Sequence, residues 1–147
     1  MAWLLLILVA VVGSVLLVRP RLLVVRVNGG SMSPALSDGD LLLAVRRRAC
    51  RVGQVVLFGH PGAGPSDPPH LVKRVAATAG QPVPADLRAA VDADRVPPGH
   101  LLVRGDNPRS LDSRRLGWIP ARTVTGVVLV RLSAAVDEGD ATGGGDR

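Results

Sequence analysis

The sequence contains eighteen lysine and arginine residues, and Lys73 is the only lysine among them. It lies in the apolar segment LVKRV, which is typical of a β-strand. Because side chains alternate along a strand, Lys73 should share a face with Leu71 and Val75. Arg74 should then point to the opposite face. Burial among aliphatic side chains lowers the pKa of a lysine, so Lys73 can be neutral near pH 7 and act as a base, which an arginine cannot. A lysine that snorkels from an edge strand is the alternative.

The segment VNGGSMSPALSDGD, residues 27–40, supplies a candidate nucleophile for such a base. Gly29 and Gly30 permit unusual backbone angles directly before Ser31, and Pro34 stiffens the chain after it. A turn of this kind can expose the Ser31 hydroxyl while its backbone N–H stays free to bind an oxyanion. An ordinary turn between two strands is the alternative for this segment taken alone.

A third segment, RGDNPRSLDSRRLGWIP at residues 104–120, is dense in hydroxyls and in charges of both signs. Such a loop can cross-brace itself and a neighbouring strand, and a solvated turn is the alternative. The polar residues concerned are Asp106, Asn107, Ser110, Asp112, Ser113, Arg114 and Arg115.

Short segments rich in Val and Leu predict an all-β domain that would position these residues. Gly, Pro, Asp or Asn separates each segment from the next, and the near-continuous apolar character of several of them suits burial on both faces. A closed or partly closed barrel of about seven strands is the natural arrangement. A helical turn or two is expected within residues 84–94. The predicted strands are RLLVVRV, DLLLAV, QVVLF, LVKRVAA, HLLVR and TVTGVVLVRL.

The two ends of the chain differ from this body. Residues 1–18 are almost wholly apolar, and 17 helical residues would span roughly 26 Å, which predicts a transmembrane anchor. A cleaved secretory signal is the alternative. Residues 19–132 form the predicted domain. The Gly-rich acidic tail, residues 133–147, is expected to be disordered.

Composition excludes several classes of site. The formal net charge is +6, but aromatic residues for base stacking are nearly absent, so we expect no nucleic-acid partner. One cysteine, Cys50, allows neither an internal disulfide nor a Cys-based zinc cluster. The spacing of His60, His70 and His100 makes no metal motif. No metal and no cofactor are expected.

The three chemical segments, in this order behind an apolar N-terminus, resemble type I signal peptidases, the membrane-anchored serine proteases with a Ser–Lys dyad. The resemblance extends over roughly residues 1–132 and includes VPPGHLLV at residues 96–103. The matching motifs are Ser31-Met32-Ser33-Pro34 with the following DGD, Lys73-Arg74-Val75, Gly105-Asp106-Asn107, Ser110-Leu111-Asp112-Ser113-Arg114 and Gly117-Trp118.

The resemblance implies a role for each site residue. Ser31 would be the nucleophile and Lys73 the general base, and Ser110 would hydrogen-bond to the lysine ammonium and orient it. Charged braces around the site would be Asp106, Arg74, Asp112 and Arg114. An extended substrate would bind as an added strand along Val27, Gly29 and Leu71.

The resemblance also implies the fold and the substrates. The fold would be the barrel of short strands shared with self-cleaving repressors. The substrates would be signal peptides of exported preproteins, cut after a small residue with another small residue two positions earlier. Gly29 departs from relatives that carry a hydroxyl there as a second oxyanion donor. The chain also has one residue fewer than is common between Asn107 and Ser110, and it lacks the large extra domain of some relatives.

The resemblance and the charge distribution predict opposite orientations in the membrane. Cleavage after export implies a single-pass protein of the cell membrane, in contact with the lipid bilayer, with its catalytic domain outside the cytoplasm. Arg19, Arg21 and Arg26 follow the apolar segment closely and favour the opposite orientation under the positive-inside rule.

Four other functions stay open from sequence. The protease could be dedicated to one partner protein. A sortase-like transpeptidase would use Cys50 beside its basic neighbours, with a histidine. A self-cleaving repressor would need a DNA-binding domain, and a membrane-tethered β-domain would need no catalysis at all.

Overall fold

The structure, a computed structural model, describes residues 2–18 and 21–133. Helix α1 (Ala2–Val18) has 17 residues and exposes its apolar side chains, from Trp3 to Val12, to solvent. Within the described residues, no helix combines the length and apolar character that crossing a membrane requires. The predicted transmembrane anchor at residues 1–18 is therefore unsupported. The predicted disordered tail lies, apart from Ser133, outside the described residues.

The body is an antiparallel β-sheet, so the predicted all-β class is confirmed. Seven strands occur in the described part of the chain, and they follow the order β1-β2-β7-β3-β4-β5-β6. The sheet is curled into a half-barrel rather than closed. The strands are β1 (Leu22–Arg26), β2 (Leu41–Val45), β3 (Val55–Gly59), β4 (His70–Thr78), β5 (His100–Arg104), β6 (Ile119–Pro120) and β7 (Val124–Ser133).

Two features of strand pairing leave free edges that face the site. β1 pairs with β2 along its whole length, from Leu22 with Val45 to Arg26 with Leu41. β4 pairs with β3 over residues 70–74, whereas its pairing with β5 begins only at Arg74. The first half of β4 and the outer side of β1 therefore carry backbone groups available for a further strand.

Short helical elements interrupt the strands. A 3-10 helix, Ala85–Ala90, falls within the segment predicted to carry a turn or two, and another covers Ala121–Thr123. Helix α2 (Ser113–Leu116) was not predicted, because four residues are too few for an apolar periodicity to show. Asp112 caps it by accepting a hydrogen bond from Arg114 N.

The apolar core is divided among three clusters. The largest packs Val56, Phe58, Val103 and their neighbours between the strands. A second surrounds Leu87 of the 3-10 helix. The third contains Met32 and lies directly beneath the turn between β1 and β2. Burial alternates along β2 and β3, so the predicted burial of strands on both faces holds only for the centre of β5.

Candidate active site

Ser31 and Lys73 meet where the turn after β1 reaches β4. Lys73 Nζ donates a hydrogen bond to Ser31 Oγ at 2.6 Å, across a sequence separation of 42 residues. Ser31 is half-buried and lies beside the open groove, whereas Lys73 is buried. A hydroxyl and an amine at this distance can exchange a proton directly.

The turn that carries Ser31 is held by the apolar core through Met32 and by Asp38 through Gly29. Met32 is fully buried and its carbonyl accepts from Leu36 N at 2.9 Å, which anchors the turn to the core. Gly29 adopts φ 86°, a conformation that side chains disfavour, and its N–H donates to Asp38 Oδ1 at 2.6 Å. With Met32 directed inward, the neighbouring Ser31 is left facing the groove.

The environment of Lys73 favours its neutral form. Its side chain is only 2% exposed, and apart from Ser31 its Nζ donates to Val72 O at 3.1 Å. Burial lowers the pKa of Lys73 below its ordinary 10.5, and the negative charge of Asp112 opposes that shift in part. A lysine in this setting can accept a proton from a hydroxyl, because its ammonium form is poorly solvated.

Arg74 and Asp106 form the first of the two predicted braces. Arg74 lies on the opposite face of β4 from Lys73, as predicted, and donates to both carboxylate oxygens of Asp106, at 2.9 and 2.7 Å. It also donates to Gly53 O at 2.9 Å. The hydrogen bond to Asp106 raises the Arg74 pKa above its ordinary value, against an opposing effect of burial. The pair ties the loop after β5 to β4.

Asp112 and Arg114 form the second brace. Asp112 is fully buried and accepts hydrogen bonds from Gly105 N at 2.8 Å and from Arg114 N at 3.0 Å, as well as from the Arg114 guanidinium. Burial raises the Asp112 pKa, but the hydrogen bonds from Arg114 and Gly105 outweigh it and hold the pKa below the ordinary value. The carboxylate therefore stays ionised, and its field reaches Lys73.

Ser110 differs from the expectation. Its side chain is buried, but its Oγ has no hydrogen-bond partner in the described part of the chain, so the predicted hydrogen bond to Lys73 is not formed. The Ser110 side chain instead lies against Gly105. A Cβ built at Gly105 would lie 1.9 Å from Ser110 Oγ and 2.7 Å from Ser31 O. The loop thus brings Ser110 into the site without completing the contact.

Two residues that hold the site were not assigned a role from sequence. Asn107 N donates to Ser31 O at 3.1 Å, and Asn107 Nδ2 donates to Gly30 O at 3.0 Å, so this side chain clamps the nucleophile turn. Asp38 restrains Gly29, as described above. The signals were present in the Gly-Asp-Asn and Asp-Gly-Asp motifs, but sequence alone does not reveal which backbone groups such residues bind.

A groove of about 250 Å³ passes Ser31 and Lys73. Val27 and Leu71, two of the three predicted substrate-binding residues, line it, and so do Pro68 and His70 at one end. The third, Gly29, is exposed and does not line it. Because β1 and the first half of β4 present free edges, an extended peptide could add to the sheet here.

The backbone around Ser31 could bind an oxyanion. The Ser31 N–H has no acceptor among the residues described here. Gly29 has no side chain, so residue 29 offers no hydroxyl as a second oxyanion donor. The Ser31 N–H is therefore a backbone donor that this turn places beside the nucleophile.

The remaining candidates do not form sites. Cys50 is half-buried against the largest core cluster, and burial raises its thiol pKa despite the nearby Arg47 charge, which is the reverse of what a thiolate nucleophile needs. Among residues 2–18 and 21–133, no group of His, Cys, Asp or Glu side chains could hold a metal ion.

The chain is similar to known proteins over most of its length. A family profile described as signal peptidase, peptidase S26, matches residues 1–91 and 84–133. Mitochondrial inner membrane protease subunit 1 of Schizosaccharomyces pombe is 33% identical over 112 residues, which cover 71% of this chain and 69% of the relative. The profile match includes the segments that carry Ser31 and Lys73 and the loop at residues 104–120.

Proposed function

The chain belongs to the signal peptidase family, peptidase S26, and we propose that it is a serine endopeptidase that removes signal peptides from preproteins, with Ser31 as nucleophile and Lys73 as general base. Membership makes it a signal-peptidase-like protease. The observation that carries the finer assignment is the 2.6 Å approach of Lys73 Nζ to Ser31 Oγ.

In the first half of the reaction, neutral Lys73 accepts the hydroxyl proton while Ser31 Oγ attacks the scissile carbonyl. The tetrahedral oxyanion binds the Ser31 N–H. Collapse breaks the peptide bond, and the Lys73 ammonium returns the proton to the leaving amine. The products of this half are a mature N-terminus and an ester between Ser31 and the signal peptide.

In the second half, the again-neutral Lys73 takes a proton from water, and the resulting hydroxide attacks the ester. Collapse releases the signal peptide as a carboxylic acid and returns the proton to Ser31 Oγ. Arg74 and Asp106, together with Asp112 and Arg114, hold the loops in place but exchange no proton. Each step is thus balanced by the dyad and one water molecule.

The substrate would bind as an extended strand between β1 and the first half of β4. Val27 and Leu71 line that groove and are placed to contact alternate substrate side chains. Small residues at the cleavage site would fit a groove of this size. Whether the substrates are many preproteins or one dedicated partner depends on contacts beyond this groove.

Membrane association belongs to the same proposal. The fission yeast relative is described as an inner membrane protease, and α1 of this chain exposes a continuous apolar surface. We propose α1 as the segment in contact with lipid, with the domain outside the cytoplasm.

The test is cleavage of a preprotein by the purified, detergent-solubilised protein, followed by N-terminal sequencing of the product. Ser31→Ala should reduce the rate by several orders of magnitude, since it removes the nucleophile. Ser33→Ala is the matched control, because it removes an exposed hydroxyl two residues away in the same turn. Activity in Ser31→Ala together with inactivity in Ser33→Ala would show that the motif is misaligned.

A further inference from the structure

Four arginines converge on a cleft at the end of β1 and β2 that lies opposite the nucleophile turn. The cleft has a volume of about 350 Å³ and is lined by Arg46, Arg47, Arg48, Arg122, Val124 and Thr125. No lining residue is acidic, and none of the salt bridges in the described ranges involves these arginines. Four like charges therefore share one concave surface without a counterion from the described chain.

Most of the donors in this cleft are free to bind a ligand. Arg47 Nε donates to Ala49 O at 2.7 Å. The side chains of Arg46, Arg48 and Arg122 have no hydrogen-bond acceptor in the part of the chain that the structure describes, and all three are exposed. Planar guanidinium groups present paired N–H donors that match phosphate oxygens in two-point contacts. The cleft is thus suited to a phosphate group.

The apolar surroundings of the cleft indicate the source of that phosphate. Arg46 N donates to Arg21 O at 2.5 Å, and Arg21 follows the end of α1 by three residues. Three residues of extended chain cover at most about 11 Å. The cleft therefore lies close to the end of an apolar, exposed helix. Leu22, which is 38% exposed, pairs with Val45 directly before Arg46. A free phosphate would use only the arginines, whereas a lipid would use both surfaces.

We propose that this arginine cleft binds the phosphodiester headgroup of an anionic phospholipid. The apolar side chains of α1 and Leu22 contact the acyl chains of the same lipid layer. The site is separate from the Ser31–Lys73 groove and does not depend on the proposed catalysis.

Native mass spectrometry of the full chain tests the proposal. The protein is released from nonionic micelles that contain equal amounts of phosphatidylglycerol and phosphatidylcholine with the same acyl chains. The wild type should retain phosphatidylglycerol in at least about tenfold preference, because each arginine near a lipid surface contributes severalfold. The triple variant R46Q/R48Q/R122Q should lose this preference. R88Q/R95Q/R115Q removes the same charge from exposed positions outside the cleft and should keep it.

A second arm distinguishes lipid from free anion. Inorganic phosphate, titrated into the full chain in lipid-free micelles, should show no saturable binding at submillimolar concentration. Tight phosphate binding without a preference for phosphatidylglycerol would overturn the lipid assignment. An unchanged preference in the cleft variant, or an equal loss in the control, would overturn the cleft itself. Melting by circular dichroism checks that the variants fold, and R48Q and R122Q alone provide the test should the triple variant melt early.

Discussion

At the scale of single residues, the Lys73 ammonium group is surrounded by an aliphatic strand face and the Ser31 hydroxyl instead of water. This burial disfavours the charge and lowers the Lys73 pKa, and the nearby Asp112 limits how far the pKa falls. Two neighbouring residues on β4 therefore have opposite tasks. In the proposed mechanism Lys73 must lose its proton to act, whereas Arg74 must keep its proton to hold Asp106.

Lys73→Arg should be as inactive as Lys73→Ala, although it keeps the positive charge and most of the side chain. A guanidinium remains charged at working pH and cannot accept the Ser31 proton. The measurement is the initial rate of preprotein cleavage, with melting followed by circular dichroism to show that the fold survives. Arg74→Lys is the matched control and should retain measurable activity. A rate near wild type for Lys73→Arg would rule out the dyad.

Asp112→Asn should move the pH dependence of cleavage toward lower pH. The carboxylate raises the Lys73 pKa, so its removal lowers that pKa further and the neutral amine appears at lower pH. The measurement is kcat/KM against pH, whose rising limb reports the base in the free enzyme. Asp86→Asn removes one exposed charge that pairs with Arg104 and should leave the limb in place. A limb that shifts equally in both variants would contradict the assignment.

At the scale of elements, the site is made by two loops that cross. The turn after β1 carries Ser31, and the loop between β5 and α2 covers it through Asn107 and Gly105. Gly105 N donates to the buried Asp112, and its Cα faces both Ser110 and Ser31 O. The loops can approach this closely only because residue 105 has no side chain.

Gly105→Ala should damage both stability and catalysis. The added Cβ would lie 1.9 Å from Ser110 Oγ and 2.7 Å from a backbone oxygen, so the crossing loops must separate. We expect a loss of roughly 1–3 kcal/mol in the free energy of unfolding, measured with urea, together with a marked loss of cleavage rate. At Gly59 an added Cβ has its closest contact at 3.9 Å, so Gly59→Ala should be far milder. Equal effects of the two substitutions would argue against the crossing as the cause.

The strands and the pairing of Lys73 with Ser31 could be predicted from sequence, but their finer contacts could not. Val/Leu-rich segments located six of the seven strands in the described ranges, and the type of a single residue, Lys73, pointed to the proposed base. The four-residue helix α2 was missed because it is shorter than one apolar repeat. The geometry of Ser110 was also missed, because it depends on where Gly105 lies, and a motif does not specify that distance.

At the scale of the whole molecule, strand order was beyond sequence reasoning. β7 lies between β2 and β3, so it pairs with strands that are about 70 to 90 residues earlier in the chain. Local patterns cannot specify such pairings. The apolar segment of β1 did not reveal its position in the sheet either: Val24 is 65% exposed, because β1 is an edge strand with one covered face. The same free edge is what could receive a substrate strand.

The buried lysine should make the stability of the whole molecule depend on pH. In the unfolded chain Lys73 titrates near its ordinary value of 10.5, whereas burial lowers its pKa in the fold. Between the lowered pKa and 10.5 the unfolded chain binds more protons at Lys73, so the contribution of Lys73 to stability should rise with pH across this window and gain nothing further above it. Lys73→Met has a similar volume and no titrating group. The free energy of unfolding of the variant minus that of the wild type, from urea titrations at several pH values, should therefore be largest at low pH and shrink as pH rises. Other titrating groups are common to both proteins and cancel in the difference. A difference that stays constant with pH would mean that burial does not disfavour the Lys73 ammonium. The proposal that burial makes Lys73 a neutral base would then fail.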